Sequence, residues 1–179
     1  MSEEERLIKD SDITWYKHSN VKNNMGAFNF YITTDFATSE KESADFSTIN
    51  VWAYNNQGDW LWVDGFCKKA LMDKSIDELF RLAQKYRPQE VGVEVTGQQG
   101  GFIAWIQNEM MNRNIYFTLS SGRGKTTPGI RPNKDKMSRF QQMAVPLFKS
   151  GKLWFPEELR DSAELAEMMN ELQLATVKG

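Results

Sequence analysis

The chain has a single cysteine, Cys67, and a single histidine, His18, among its 179 residues. One cysteine excludes an internal disulfide and any multi-cysteine zinc site. One histidine leaves little for a histidine-based triad. Long apolar runs are also missing: nothing approaches the ~20 residues a membrane span needs. The opening Met1-Ser2-Glu3-Glu4-Glu5-Arg6 is acidic where a secretion signal is basic and then apolar. A strong net charge is missing too, since 22 Lys and Arg against 24 Asp and Glu leave −2, which argues against a wholesale polyanion binder. These absences predict a cytoplasmic protein without membrane contact, whose chemistry runs on carboxylates, amines or hydroxyls.

What is present fits one globular domain: 40% hydrophobic and 26% charged residues over a length too short for two ordinary domains. The placement of charge says more than its sum. Residues 122–139 hold Arg123, Lys125, Arg131, Lys134, Lys136 and Arg139 against Asp135, whereas both ends of the chain are acidic. A basic segment on an acidic body suits a protein that meets phosphate along one edge. A solvated loop and helix face would carry the same charges.

Residues 1–26 are polar and irregular and read as a lead-in or linker, ahead of a single domain over 27–179. Phe28-Asn29-Phe30-Tyr31-Ile32-Thr33-Thr34 has the aromatic and β-branched content of a strand. Further strands are expected at 48–54 and 60–66, joined by the turn composition Asn55-Asn56-Gln57-Gly58-Asp59. Helical spacing begins at Ser75, whose pairing with Glu78 predicts a capping box, and Pro88 ends that helix. Then come a short strand, Val91-Gly92-Val93-Glu94-Val95, a helix over 102–113, a fifth strand at 115–119 and a long Gly/Pro/basic loop over 120–133. A helix over 134–149 with Pro146 as kink or early end, a short extended piece at 151–155 and an amphipathic helix over 158–172 complete the reading. The order predicts an α/β fold: an antiparallel meander followed by parallel strands in one mixed sheet, with helices on both faces.

Asp35 closes the first of these strands and Glu94 lies at or near the end of the strand at 91–95. The meander occupies only one edge of the first strand, so the later strand can pair in parallel along the other. That would bring two carboxylates together where neighbouring strands finish. Such a pair repels unless it takes up a proton or a cation. Hard divalent ions such as Mg²⁺ or Mn²⁺ prefer oxygen donors, and two of them ~4 Å apart suit phosphodiester cleavage. Alternatively Asp35 is a turn residue and Glu94 faces solvent. A carboxylate inside a central strand is costly without a partner, which makes Glu94 the more informative of the two. Asp45 supports the loop after Asp35 or simply makes a turn.

Ser121-Gly122-Arg123-Gly124-Lys125-Thr126 contains Gly-Lys-Thr but is no phosphate loop, because Leu119 stands where its first glycine belongs and Pro128 and Gly129 block the helix. It is a basic loop, facing DNA or forming mobile surface. His18 is expected at the surface or in the linker, and Trp52, Trp60, Trp62 and Trp105 in the core.

Several of these pieces together resemble one family. Asp35-Phe36-Ala37-Thr38 followed by Ser43-Ala44-Asp45-Phe46-Ser47 and an apolar strand resembles the first nuclease motif of tailed-phage terminase large subunits. Val93-Glu94 with Gln98-Gln99-Gly100-Gly101 is similar to that family's second acidic motif. Lys134-Asp135-Lys136-Met137-Ser138-Arg139, then Pro146-Leu147-Phe148, Gly151-Lys152 and Pro156, is similar to its basic helix and the strand after it. The likeness runs from about Phe28 to Leu172. It implies a ribonuclease H-like fold and a metal-dependent endonuclease that cuts concatemeric viral DNA in the host cytoplasm, using two Mg²⁺ or Mn²⁺ ions. Asp35 and Glu94 would then be catalytic metal ligands, with Asp45 in support. Arg123, Lys125, Lys134, Lys136 and Arg139 would face DNA. The implied partners are double-stranded DNA, a packaging ATPase domain, a portal and a small terminase subunit.

Two departures from the family stand out. The phosphate loop of the packaging ATPase is absent, so the chain resembles the nuclease half of a larger protein. The family's third metal-binding Asp would follow the last helix, about where Val177-Lys178-Gly179 closes the sequence. Asp161 or Glu164 could substitute but fit better as solvent-facing residues, so an incomplete metal site and weak cutting are expected. A Holliday-junction resolvase or transposase-like nuclease is the alternative enzyme. A non-catalytic docking module of the packaging motor is the alternative outside enzymes.

Overall fold

Period-two alternation shapes β3 (Ser47–Tyr54): Ser47, Ile49, Val51 and Ala53 are buried while Thr48, Asn50, Trp52 and Tyr54 are part-exposed. The computed structural model describes residues 9–36, 47–94, 100–122, 124–130 and 145–162. With β1 (Thr14–Tyr16), β2 (Asn29–Asp35), β4 (Trp60–Lys68), β5 (Glu90–Val93) and β6 (Leu153–Pro156), β3 forms a six-stranded sheet in the order β1-β6-β4-β3-β2-β5. Among the described residues the α-helices are α1 (Ser19–Lys22), α2 (Met72–Tyr86), α3 (Gly100–Arg113) and α4 (Val145–Lys149). β5 runs parallel to β2, and β6 runs parallel to both β4 and β1. Between β3 and β4 the Asn55 side-chain oxygen accepts the N–H groups of Gln57 at 3.0 Å and Asp59 at 2.9 Å. Gly58 takes φ +82 there, which a side chain would resist. This tight turn makes β3 and β4 an antiparallel hairpin, so the sheet is mixed. Among the described residues no helix is long and apolar enough to cross a membrane.

The chain divides into two compact units, one of 1–28, 53–63 and 133–179, the other of 29–52 and 64–132. In the first unit, Phe148 and Phe155 stack at 5.8 Å between centroids, both almost fully buried. Thr14–Tyr16 lies within the segment expected as a lead-in but is a strand, paired with Trp154–Pro156. His18 is partly buried rather than loose: its ring Nε2 lies 3.0 Å from the Val63 carbonyl, and its backbone N–H donates to the Glu158 carboxylate at 2.8 Å. Lys149 pairs with Asp12, and Lys152 with Asp59 at 3.5 Å. Arg160 lies over the Trp15 ring at 4.3 Å.

The Tyr16 hydroxyl donates to the Trp62 carbonyl at 2.6 Å. Burial, aided by the Glu158 charge, raises its pKa well above the usual phenol range. A folded-state pKa raised above the unfolded one stabilises fully below about pH 10 and is lost as pH climbs beyond it. Wild type is therefore expected to lose stability in urea melts between about pH 10 and pH 12, and Tyr16→Phe to lose measurably less. Equal alkaline slopes would assign the loss elsewhere.

In the second unit, Phe30, Ile32, Ile49, Val51, Val91 and Val93 of the strands and Ile76, Leu79, Phe80, Leu82, Ile106 and Met110 of the helices are all buried. α2 begins a turn earlier than the spacing predicts. Leu71 is its N-cap, so Ser75 sits inside the helix, fully buried, with its hydroxyl unpaired. The expected capping box is therefore absent; Glu78 pairs with Arg81 at 2.8 Å instead. Arg87 closes α2 in the left-handed region at φ 47, just before Pro88.

Two other expectations change, and two more fall partly outside the described residues. The fifth strand reduces to a bridge of Leu119 with Val91. Of the helix expected over 134–149, residues 145–149 are helical and include Pro146, and 134–144 lie outside the described residues. Of the helix expected over 158–172, the described part holds a 3₁₀ turn, Glu157–Leu159, and residues 163–172 lie outside the described residues. Of the tryptophans placed in the core, Trp62 is buried at 2% exposure, whereas Trp105 is exposed at 36%. Trp52 and Trp60 are part-exposed.

Candidate metal centre

β2 and β5 are in parallel register from Tyr31↔Glu90 through Thr34↔Val93. Asp35, the last residue of β2, and Glu94, the residue after β5, stand one step past the last ladder pair. Paired residues of parallel strands share a face, and neighbouring strands lie about 4.8 Å apart. On one face Phe30, Ile32, Thr34, Val91 and Val93 are buried. On the other are Tyr31, Thr33, Glu90 and Gly92, and both acids belong to this accessible side with part-exposed side chains. The sequence expectation that these two carboxyl groups end adjacent parallel strands matches this arrangement.

Further contacts build the surroundings. Trp52 Nε1 donates to Thr33 Oγ1 at 3.1 Å, on the face that carries Asp35. The outer side of β5 is covered by backbone from farther along the chain. Val91 N–H donates to the Thr118 carbonyl at 2.8 Å, Ser120 N–H to Val91 at 2.9 Å, and Ile130 N–H to Val93 at 2.9 Å. Ile130 thereby bridges Glu94 in parallel. The basic loop is thus folded rather than loose over its described part. Ser121 pairs with Pro128, and the Lys125 N–H donates to the Gly122 carbonyl at 2.9 Å. Lys125 is exposed on this turn, whose base reaches the backbone of Glu94.

Gly92 is a contributor that the sequence reading passed over. A Cβ there would lie 3.3 Å from the Ile130 Cδ1, so the bare backbone lets residue 130 close over the strand. The signal was a lone glycine between two valines of a strand, which marks close approach. Asp45, Arg123, Lys134, Lys136 and Arg139 lie outside the described residues. Among the described residues no group of three or more His, Cys, Asp or Glu side chains converges on one point. The donor set they offer is a carboxylate pair, and hard oxygen donors on an accessible face fit a divalent cation of the Mg²⁺ or Mn²⁺ type.

No protein-family model matches the chain, and no curated protein matches its sequence. Solved structures do match its fold. The human cytomegalovirus terminase nuclease domain, Mn soaked and inhibitor bound, superposes with a TM-score of 0.62 at 15% identity, covering 96% of this chain and 87% of that one. The large terminase nuclease of thermophilic phage G20c with bound magnesium gives 0.56 at 14% identity, covering 94% and 79%. The same phage nuclease with bound cobalt gives 0.55 at 13%, covering 94% and 79%. At these identities the likeness concerns the fold, and the mixed sheet described above agrees with it. The chain shares the fold of these viral terminase nuclease domains.

Proposed function

We propose that this protein is the metal-dependent endonuclease domain of a viral DNA-packaging terminase, cutting concatemeric double-stranded DNA by two-metal phosphodiester hydrolysis. The observation that carries the reading is the register of β2 and β5, which ends both strands in a carboxylate on the same accessible face. The matched nuclease domains, solved with manganese, magnesium or cobalt, support divalent-ion chemistry on this fold. Asp35 and Glu94 would hold the ions, with Asp45 in support. Bound there, divalent ions would supply Lewis acidity to an attacking water and to the departing 3′ oxygen. The protein's own part is to place two carboxyl side chains at the ends of neighbouring strands, on an accessible face. Lys125, with Arg123, Lys134, Lys136 and Arg139, would hold the DNA backbone with little base preference. Residues 27–179 together with β1 from the expected lead-in would form the nuclease domain, acting in the host cytoplasm beside the packaging ATPase, portal and small subunit. Supercoiled plasmid incubated with the protein and Mn²⁺ should be nicked or linearised, and chelation should stop it. Cleavage that persists in chelator would overturn the reading.

DNA binding by this basic set depends on released counterions. With five phosphate contacts, log affinity falls with log salt at a slope of about −4.5, roughly 500-fold from about 50 to about 200 mM. Lys125→Ala should reduce that slope by about 0.9 in fluorescence anisotropy with duplex DNA. Binding indifferent to salt would remove the basic segment from the interface.

A further inference from the structure

Thr34 is a buried polar residue at 7% exposure on an otherwise apolar strand face shared with Phe30, Ile32, Val91 and Val93. Valine has the same shape and would fill that place without a hydroxyl to satisfy. The hydroxyl does find a partner: Thr34 Oγ1 donates to the Gly92 carbonyl at 2.8 Å, across from β2 to β5. Thr34↔Val93 is also the last ladder pair before the two acids. Strand ends separate easily, and like charges in register on adjacent strands push them apart. A side-chain hydrogen bond at this final rung opposes the separation. On the other side of the same glycine, Ile130 closes over the space a Cβ would need, so the Gly92 peptide is held from both faces.

We propose that Thr34 is a positioning residue, tying the ends of β2 and β5 together so that Asp35 and Glu94 keep the spacing a divalent ion requires. This rests on the reading of Asp35 and Glu94 as a metal pair. The test is Mn²⁺ calorimetry on the full chain. Thr34→Val should weaken Mn²⁺ binding about 10- to 100-fold, the scale seen when groups orienting metal ligands are lost. Thr34→Ser, which restores the hydroxyl, should recover most of the affinity. Val51→Ala, a buried change on β3, should leave it within about 2-fold while lowering stability, which separates positioning from general loosening. If Thr34→Val does not yield folded protein, Thr34→Cys, a weaker donor of similar size, makes the same comparison with Thr34→Ser. Wild-type affinity in the hydroxyl-free variant, with binding lost in Asp35→Asn, would sink the positioning role and leave the metal pair standing. Equal weakening by Thr34→Val and Thr34→Ser would sink it too. Undiminished binding in Asp35→Asn would overturn both.

Discussion

Asp35→Asn is expected to lower divalent-dependent cleavage by about 10³-fold or more, close to 4 kcal/mol of barrier. Asparagine keeps the size and planarity of the side chain, so the fold is retained while the anionic oxygen is lost. A neutral amide oxygen is a poor substitute where a hard cation is to be held. Glu94→Gln should behave alike, because the parallel register puts both groups on one face at the ends of adjacent strands. The double variant should be little worse than either single one, as groups that act as a unit are not additive. A second readout is independent of turnover. A ligand held only by the folded protein stabilises it, by about 2.7 kcal/mol at a concentration about 100 times its dissociation constant. Mn²⁺ should therefore raise the melting temperature of wild type and leave that of Asp35→Asn unmoved. An Asn variant that still cuts, and is still stabilised by Mn²⁺, would show that the metal sits elsewhere.

The parts legible in the sequence are those fixed by long-range order rather than by local signals. The hairpin turn at 55–59 and the apolar alternation of 47–54 define a meander that leaves one edge of β2 open, and β5 takes that edge. From this the placement of Asp35 and Glu94 at the ends of neighbouring parallel strands could be read. β1 was not legible because Thr14-Trp15-Tyr16 is too short to show a period, and its partner, β6, is far along the chain. Ser75 misled because a hydroxyl three residues before a glutamate has the spacing of a cap wherever it falls. Here the helix had already begun at Met72, and tertiary burial outweighed the local signal. The 115–119 segment has strand composition but joins the sheet only through Leu119, and Ile130 takes the place beside Val93 and Glu94. Gly92 and Thr34 each hinted at their roles by being the wrong chemical type for a strand interior. Neither could be read without knowing what lay opposite.

Phe80→Ala should cost stability on a similar scale and leave the candidate metal centre untouched. Phe80 is 1% exposed on α2, and its ring lies 5.2 Å from that of Phe117. The Arg113 guanidinium sits 4.8 Å from the Phe80 centroid while binding Asp77 at 2.5 Å and Glu109 at 2.7 Å. Truncation removes the apolar transfer energy, opens a cavity and takes away the face on which the guanidinium rests. The first two effects cost about 3–5 kcal/mol in buried phenylalanines, and the aromatic and cation contacts raise the total only modestly because Arg113 keeps its carboxylate partners. For a chain of this length that is a fall of roughly 6–20 °C in melting temperature. Neither α2 nor Phe80 supplies a ligand, and β2 and β5 are held to each other by their own ladder and by Thr34. Mn²⁺ affinity measured well below the new melting temperature should therefore stay within about 2-fold of wild type, far from the loss of orienting groups at metal sites. A drop comparable to that of Asp35→Asn would mean that the spacing of the two acids is set by helix packing rather than by the paired strand ends.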